Sequence, residues 1–398
     1  MNQLGEKIRV LAFEGWPTLL AGGQERSLFE VLSALRLGGA HVSLAYERSG
    51  ELLAAYNSIG ISSFKILTRN VVLKSIRAPI NILEFVFSVA RIISRGYISR
   101  NKWNIIYVNQ YFDVTLAAVC GLILGIPVVC HLRLAAPSYL SRQFRWGLKS
   151  CKFIICNSEF TAKTYIDFGI PKEKISVVLN AIDTDVFSPP NAPSTEAMLL
   201  KKTRQVLYVG RICPEKGVEI LIEAVARARE RDSRIKLLIV GNPHPVGAVT
   251  ASYLAQVTKM AAELLGAAVE FRSATPNVLE LYRDSDLTVL PSVWDEPFGR
   301  VVIESMSCGT PCLASRVGGI PEIMSDHDGL MFERGAVDEL ANKLVSLVNW
   351  RTDDPGLGTD CRELVLCKFA SERMNSQISE LFRRHIATTP TPETSEGI

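Results

Sequence analysis

The chain has 398 residues, 47% of them hydrophobic and 21% charged, and its formal net charge is +3. That length suggests two or three domains. The composition is typical of a globular chain with large buried cores, which argues against a fibrous or disordered protein. The N-terminus lacks a basic segment followed by an apolar one, so a signal sequence is not indicated and a cytoplasmic location is expected.

Short runs rich in Val and Ile recur along the chain, and most are followed by a helical pattern, which predicts parallel strands alternating with helices. The runs in the first half are 8–13, 42–46, 105–109, 128–132, 153–157 and 176–179. The runs in the second half are 206–209, 237–240, 269–271, 287–290, 312–314 and 330–332. The sequence therefore predicts an α/β protein with two doubly wound parallel sheets.

A proline-rich segment, 188–194, separates the two sets of runs and predicts the domain boundary, because proline blocks regular strand pairing. We predict an N-terminal domain over 1–188, a C-terminal domain over 189–371, a final helix over 372–387 and a flexible tail over 388–398. In two facing α/β domains the carboxyl ends of the strands open toward a shared central cleft. Motifs that bind ligand are therefore expected just after strands.

Cysteine spacing and the longest uncharged stretch both favour a reduced protein without a membrane span. The nine cysteines lack paired CxxC spacings, so reduced and mostly buried thiols are expected. The stretch 114–130 is interrupted by Gly121 and by Gly125-Ile126-Pro127. It predicts a buried helix, a turn and a strand.

The segment 65–102 is basic and rich in Ile, Val and Phe, with Glu84 as its acidic residue. Its basic residues are Lys65, Arg69, Lys74, Arg77, Arg91, Arg95, Arg100 and Lys102. Two interpretations stay open: contact with a membrane surface or an anionic acceptor, and a solvated basic face over ordinary core helices.

Glycine-containing turns follow the leading strand of each half. Gly22-Gly23 precedes a helix with Leu28, Val31, Leu32 and Leu35 on one face, and backbone N–H groups there could cradle a phosphate; a plain loop is the alternative. In the second half, Arg211 and Lys216 flank a turn that suits a diphosphate. A surface ion pair of these cations with Glu215 is the alternative there.

The segment 291–309 places Glu296 before a predicted helix and Glu304 on it. If the intervening residues are wholly helical, the two carboxylates lie on the order of 12 Å apart, farther than the roughly 5 to 10 Å between paired glycosidase carboxylates. The expected separation is better suited to two carboxylates that bind hydroxyls at opposite ends of an elongated ligand than to a hydrolytic acid/base pair. The amides of Phe298, Gly299 and Arg300 would point from the helix start toward that ligand.

The letters EPFGRVVIE at 296–304 resemble the E-x7-E signature of family 4 retaining glycosyltransferases. Gly210-Arg211 with Lys216-Gly217 is similar to the diphosphate motif of that family. The segments 180–187 and 317–322 are similar to its NGID-xxx-F segment and its second glycine loop. The resemblance implies a GT-B fold of two Rossmann-like domains facing a central cleft, with the donor held mainly by the second domain. It also implies that the final helix crosses back to the first domain.

The family roles transfer to matching positions of this chain. Glu304 would hold the ribose hydroxyls and Glu296 would lie near hydroxyls of the transferred sugar. Arg211 and Lys216 would hold the diphosphate and stabilise the leaving nucleotide. In the first half, Gly22 and Gly23 would approach the phosphates or the acceptor. His131, just after the strand 128–130, would contact the donor sugar, although a lone His is also often a structural residue.

Neither a metal nor another cofactor is expected. Asp183-Thr184-Asp185 and Asp284-Ser285-Asp286 spell DxD, through which other glycosyltransferases hold a divalent ion. The first lies inside the segment 180–187 and the second at a helix-to-strand junction, and neither context suits a metal site.

The resemblance implies a hexosyltransferase that uses a UDP- or GDP-sugar, with UDP favoured, and retains anomeric configuration during cell-envelope, exopolysaccharide or glycolipid synthesis. The expected acceptor is a glycan, a lipid-linked or a small molecule, and no nucleic-acid partner is expected. Residues 65–102 would give peripheral contact with the inner face of the plasma membrane. A GT-B-like sugar-nucleotide epimerase and a non-catalytic partner that binds nucleotide sugars remain alternatives. An NAD enzyme is disfavoured because no GxGxxG follows either leading strand.

Overall fold

The structure, a computed structural model, describes residues 8–18, 23–68, 78–98, 103–190, 202–243 and 248–386. Its internal contacts divide the chain into two units. The first runs to Leu179 and resumes at Met374, and the second runs from Asn180 to Arg373. The predicted boundary between residues 188 and 189 is therefore too late, and the predicted tail lies outside the described residues.

The segment before the proline run belongs to the second unit because that unit binds its backbone. Ile182 forms a bridge with Ala370, and the carbonyl of Phe187 accepts a hydrogen bond from Ser307 Oγ at 2.6 Å. The Arg283 guanidinium donates to the Ser188 carbonyl at 2.7 Å. The proline run therefore lies inside the second unit, and these contacts, not proline content, decide where that unit begins.

The first unit contains a parallel sheet whose described strands are β1 Arg9–Glu14, β2 His41–Tyr46, β3 Ser62–Lys65, β4 Ile105–Val108, β5 Val128–Leu132, β6 Phe153–Cys156 and β7 Ile175–Val177. Their spatial order is β3-β2-β1-β4-β5-β6-β7. The six predicted strands of this half are confirmed within a few residues. The sequence pattern does not predict β3, because this edge strand buries Phe64 and is otherwise Ser and Lys.

The helices described in the first unit are α1 Gly23–Leu37, α2 Leu52–Ser58, α3 Ala78–Ile98, α4 Val114–Leu124, α5 Arg142–Ser150 and α6 Glu159–Asp167. The predicted apolar face of α1 is confirmed, because its four predicted residues are buried. The stretch 114–130 is a helix, a turn and a strand, and Gly125 ends α4 in the left-handed conformation. Among the described helices, none is long and apolar enough to cross a membrane.

The second unit repeats this winding. Its described strands are β8 Arg204–Val209, β9 Ile235–Val240, β10 Val269–Arg272, β11 Leu287–Leu290, β12 Cys312–Ser315 and β13 Met331–Phe332. The order β10-β9-β8-β11-β12-β13 reverses direction between β8 and β11. Ligands of doubly wound sheets bind at such a switch point, outside the carboxyl ends of the strands. The loops after β8 and β11 are therefore the place to look for a site.

The helices described in the second unit are α7 Val218–Arg229, α8 Ala248–Leu265, α9 Leu279–Asp284, α10 Arg300–Ser307, α11 Ile320–Ile323, α12 Val337–Leu347, α13 Trp350–Asp353 and α14 Leu357–Lys368. The last helix, α15 Ser371–Ile386, groups with the first unit from Met374 onward. Its Phe382 ring lies 6.2 Å from Tyr107 and 6.1 Å from Phe153, both on the first sheet. All nine cysteines are free, and eight are buried.

Candidate active site

The loops after β8 and β11 are in close contact at the switch point of the second sheet. After β8 the chain makes a single 3-10 turn, Pro214–Lys216, before α7. The amide of Val293, after β11, donates to the carbonyl of Glu215 at 3.0 Å. Gly217, between the 3-10 turn and α7, has φ 62°, and a Cβ atom there would lie 2.2 Å from the carbonyl oxygen of Pro291. Only glycine fits this approach.

A buried ion pair joins the two loops. Lys216 Nζ hydrogen-bonds Glu296 Oε1, and the same oxygen accepts from Ser292 Oγ at 2.5 Å. The whole of Glu296 is 5% exposed. Lys216 therefore pairs with Glu296 and not with Glu215, so the surface-pair alternative is wrong for Lys216. Sequence reading overlooked Ser292, whose proximity to Glu296 was the available signal.

The ionisation of Glu296 follows from these partners. Burial acts to raise the pKa of its carboxyl, because it removes water from the charged form. The charge of Lys216 and the hydrogen bonds from Lys216 and Ser292 outweigh burial and hold that pKa below its ordinary value. The carboxylate is therefore ionised at neutral pH and can accept hydrogen bonds from hydroxyl groups.

The loop after β12 fixes the backbone of Glu296. Gly319 N–H donates to the Glu296 carbonyl at 2.7 Å. Gly318 has φ 55°, and a Cβ atom there would lie 2.2 Å from the carbonyl oxygen of Glu296. Loops from the adjacent strands β8, β11 and β12 thus converge on one carboxylate. We call this cluster, formed by Lys216, Ser292, Glu296, Gly318 and Gly319, the Glu296 junction.

Arg211 supplies a second cation on the loop that carries Lys216. Tyr208 Oη donates to its carbonyl at 2.6 Å, which fixes its backbone, and its side chain is half-buried. Among the described ion pairs, that guanidinium has no carboxylate partner. It remains available to an anionic ligand.

Glu304 lies in α10 and is 7% exposed. Its carboxylate accepts from Tyr282 Oη at 3.0 Å and from Arg300 Nε at 3.3 Å. The sequence did not indicate Tyr282, which stands on α9, 22 residues earlier. The two donors orient the carboxylate, and each oxygen keeps a lone pair for a ligand hydroxyl.

The segment 296–304 is not wholly helical, so the condition behind the expected carboxylate separation is not met, whereas Glu296 precedes the helix as predicted. α10 begins only at Arg300, and Gly299 has φ 82°. Pro297 and this left-handed glycine keep the helix from extending back to Glu296. Phe298 is 2% exposed with its ring centroid 5.8 Å from Phe369, so its side chain belongs to the core.

Of the three site residues predicted in the first unit, the structure describes Gly23 and His131. Gly22 lies outside the described residues. Gly23 begins α1, and its carbonyl accepts from Ser27 Oγ at 2.8 Å. His131 lies inside β5 and is fully buried, as the predicted run 128–132 implies, and not after a strand that ends at residue 130. The strand continues through Leu132 because β5 pairs with β6 up to Cys156.

His131 belongs to a buried polar cluster that sequence reading missed. Tyr107 Oη lies 2.6 Å and Arg133 Nη2 lies 3.3 Å from His131 Nδ1. Arg133 Nε in turn donates to Asn109 Oδ1 at 2.6 Å. Burial, and secondly the charge of Arg133, lowers the pKa of His131 well below its ordinary value, so its imidazole is neutral at pH 7. Polar residues directly after buried strands, here Asn109 and Arg133, were the available signal.

The DxD segments have structural roles. Asp183 Oδ1 accepts from the amides of Asp185 and Val186 at 3.0 Å each. Asp286 accepts from the Gln205 amide at 2.7 Å and from Arg351 at 3.1 Å. Within the described ranges, no group of three or more His, Cys, Asp or Glu side chains has the arrangement of a metal site.

Two family models match the chain. "Glycosyltransferase Family 4" matches residues 21–186, and "Glycosyl transferases group 1" matches residues 195–354. The chain belongs to the group 1 glycosyltransferases of family 4. The first family match falls on the first unit, apart from its last residues, and the second on the second unit.

Curated members of this glycosyltransferase family match part of the chain. The D-inositol 3-phosphate glycosyltransferase of Rhodococcus jostii (strain RHA1) is 29% identical over 266 residues, which are 64% of this chain and 56% of the relative. The protein of the same name from Stackebrandtia nassauensis is 33% identical over 213 residues, 51% of this chain and 46% of the relative. The chain spans about half the length of the curated relatives it matches.

Solved structures align with nearly the whole chain. Anabaena Alr3699/HepE in complex with UDP-glucose aligns with a TM-score of 0.76 at 22% identity, covering 95% of this chain and 100% of that one. Sucrose-phosphate synthase (tll1590) from Thermosynechococcus elongatus aligns with a TM-score of 0.72 at 22% identity, covering 96% and 100%. With the two doubly wound sheets, these likenesses establish the GT-B fold.

Proposed function

We propose that the chain is a retaining glycosyltransferase that moves a hexose from a nucleotide diphosphate donor to a hydroxyl acceptor. The observation that carries this proposal is the Glu296 junction, where a buried ionised carboxylate and its Lys216 partner lie at the switch point of the second sheet. Arg211, on the same loop, offers a further cation. Family membership supports sugar transfer as the reaction.

The site residues predicted in the second unit each have a part in binding the donor in this proposal. Arg211 and Lys216 bind the diphosphate, Arg211 through a planar fork and Lys216 as a point charge. Glu296 accepts hydrogen bonds from hydroxyls of the transferred sugar, and Glu304 from those of the ribose. The backbone amides of Phe298, Gly299 and Arg300 add donors near the start of α10.

The reaction breaks the bond between the sugar anomeric carbon and the diphosphate oxygen. The acceptor oxygen bonds to that carbon on the same face, and its proton passes to the departing diphosphate oxygen. Negative charge develops on that oxygen as the bond breaks, and fixed cations stabilise it most in the transition state. Arg211 and Lys216 therefore promote departure of the leaving group, without a separate protein base.

The first unit supplies the acceptor side in this proposal. Gly22 and Gly23 are proposed to approach the phosphates, and His131 is proposed to contact the donor sugar. We expect neither a metal nor another cofactor.

The donor and pathway are proposed by analogy. The solved structures of Alr3699/HepE contain UDP or UDP-glucose, which supports a UDP-sugar donor over a GDP-sugar. The curated relatives are named for D-inositol 3-phosphate, a small polar acceptor. A glycan or lipid-linked acceptor of the cell envelope, or a soluble one of this kind, is consistent with a cytoplasmic enzyme.

Thermal melting with a panel of UDP-, GDP-, ADP- and TDP-sugars tests the proposal. A ligand that binds only the folded chain raises the melting temperature, and a free concentration of 100 Kd contributes about 2.7 kcal/mol. We expect UDP-sugars to give the largest shift. Absence of a shift with every donor would favour a non-catalytic partner, and release of a free sugar without any acceptor would favour an epimerase.

Helix α3 supports peripheral contact with an anionic membrane. It exposes Ile80, Leu83, Phe87 and Tyr97 by 60%, 56%, 56% and 65%, respectively, at helical spacing. Arg91 on the same helix is also exposed. An apolar stripe with basic neighbours is typical of helices that lie in the membrane interface. Of the basic residues of 65–102, Arg69, Lys74, Arg77, Arg100 and Lys102 lie outside the described residues.

Cosedimentation with phosphatidylglycerol vesicles at low salt tests this contact. The wild-type chain should pellet with them and stay in solution with phosphatidylcholine vesicles. Leu83→Glu/Phe87→Glu should stay in solution, while Leu37→Glu, at a position 81% exposed on α1, should pellet like the wild type. A wild-type chain that remains in the supernatant would favour a soluble acceptor and the solvated-face interpretation.

A further inference from the structure

The buried cluster around His131 determines which of its ring nitrogens carries the proton. A guanidinium has five N–H donors and no acceptor, so Arg133 Nη2, 3.3 Å from His131 Nδ1, donates to that nitrogen. Nδ1 is therefore unprotonated. Tyr107 Oη, 2.6 Å from the same nitrogen, must then also be a donor.

The ionisation of both partners agrees with this assignment. Burial raises the pKa of Tyr107 to about 12, although Arg133 lowers it somewhat, so the phenol keeps its proton at neutral pH. Burial and the charge of Arg133 lower the pKa of His131. A neutral ring with Nδ1 as acceptor carries its hydrogen on Nε2.

The Nε2 atom is buried and has no hydrogen-bond partner among the described residues. A buried N–H donor without an acceptor raises the free energy of the folded chain, because the group has lost its hydrogen bonds to water. A bound molecule that offers an oxygen there forms a hydrogen bond without any further desolvation of this N–H. His131 itself is fully buried, which excludes bulk water as its routine partner. The unpartnered atom thus points to a ligand.

Arg133 is held in place by its own contacts and does not depend on the ligand. Its Nε donates to Asn109 Oδ1 at 2.6 Å, and its carbonyl accepts from Asn157 Nδ2 at 3.1 Å. Asn109 Nδ2 donates to the Gln24 carbonyl in the first turn of α1 at 3.2 Å. These bonds join the ends of β4, β5 and β6 to the helix that follows the glycine pair.

We propose that Arg133 and Tyr107 are positioning residues that hold His131 as the neutral Nε2–H tautomer, so that this N–H donates to an oxygen of the donor sugar. The inference rests on the proposed function for the identity of the ligand. The tautomer itself is a property of the free protein.

Nitrogen-15 NMR of the histidine-labelled chain tests the tautomer without any substrate. The chain has five histidines, and the His131→Gln spectrum identifies the signals of His131. At pH 7 we expect an unprotonated Nδ1 and a protonated Nε2. An Nδ1–H tautomer or an imidazolium would overturn the proposal. Addition of the UDP-sugar that stabilises the chain should then shift the Nε2–H signal.

A double-mutant cycle separates positioning from a merely structural role. Tyr107→Phe removes one hydroxyl and Arg133→Met removes the guanidinium, and each should lower kcat/KM about tenfold, the loss of one hydrogen bond. In the His131→Gln background neither change should lower kcat/KM further, because both act through His131. Additive losses would overturn the proposal, and Tyr107→Phe keeps the cycle usable if Arg133→Met does not fold.

In the NMR experiment, donor binding without any change in the Nε2–H signal would also overturn the proposal. Absence of donor binding in a chain that shows the expected tautomer would contradict the proposed function alone.

Discussion

Replacing both Arg211 and Lys216 with alanine should lower the kcat/KM for sugar transfer by about 10³-fold or more. Removing a single group that stabilises transition-state charge typically costs about 10²–10³-fold, and this variant removes both cations of the diphosphate turn. The measurement is initial-rate kinetics with the UDP-sugar that stabilises the chain. A folded double variant with turnover within tenfold of the wild type would contradict the proposed mechanism.

Arg211→Ala alone distinguishes catalysis from stability. Lys216→Ala leaves Glu296 as a buried carboxylate without its cation, which typically destabilises by about 3–5 kcal/mol. Arg211 has no described carboxylate partner, so Arg211→Ala should change the free energy of unfolding by less than about 0.5 kcal/mol while turnover still falls about 10²-fold. Arg334→Ala is the matched control, because this exposed arginine pairs with Asp295, next to Glu296 in sequence. It should leave both quantities nearly unchanged.

Gly318→Ala should destabilise the second unit by about 3 kcal/mol or more and weaken donor binding. A methyl group there would lie 2.2 Å from the carbonyl oxygen and 2.7 Å from the amide nitrogen of Glu296. Neither backbone atom can move without displacing the carboxylate or the bond from Gly319. Overpacking of about 1–3 kcal/mol adds to about 1–2 kcal/mol for a left-handed alanine.

Gly335→Ala isolates the steric part of that effect. Gly335 also has positive φ, 75°, but a Cβ atom there meets nothing within 4 Å. It should therefore show only the backbone cost, about 1 kcal/mol, and unchanged donor affinity. Urea unfolding and UDP-sugar titration of both variants give the comparison. Equal destabilisation by the two alanines would mean that the loop after β12 does not fix Glu296.

The sequence predicts the parts of the second-unit site but not how they meet. Glycines and cations after a strand indicated Lys216, and the E-x7-E segment indicated Glu296, yet their pairing joins residues 80 positions apart. That contact depends on β8 and β11 being neighbours in the sheet, which a list of strands does not specify. The start of α10 at Arg300 was not predicted, because the left-handed conformation of Gly299, whose added Cβ would lie 2.5 Å from Ile320, involves a contact that the sequence does not specify.

In the first unit, strand patterns predicted more than side-chain chemistry did. Buried strands rich in Val and Ile are recognisable from their composition, whereas the edge strand β3 has almost no such residues. His131 was singled out, but nothing in the sequence distinguishes Tyr107, two residues before Asn109, from other aromatic residues on strands. Its role depends on register, since Tyr107 stands opposite Val129 on β5, two residues before His131.

Calorimetric titration of UDP into the wild-type chain and into Arg211→Ala/Lys216→Ala tests the central claim most directly, because it requires neither the acceptor nor the sugar to be known. The proposal predicts saturable binding of UDP by the wild type and at least tenfold weaker binding by the double variant, about 1.4 kcal/mol or more. Equal affinity of UDP for both chains, or no binding by the wild type, would contradict a diphosphate site at Arg211 and Lys216.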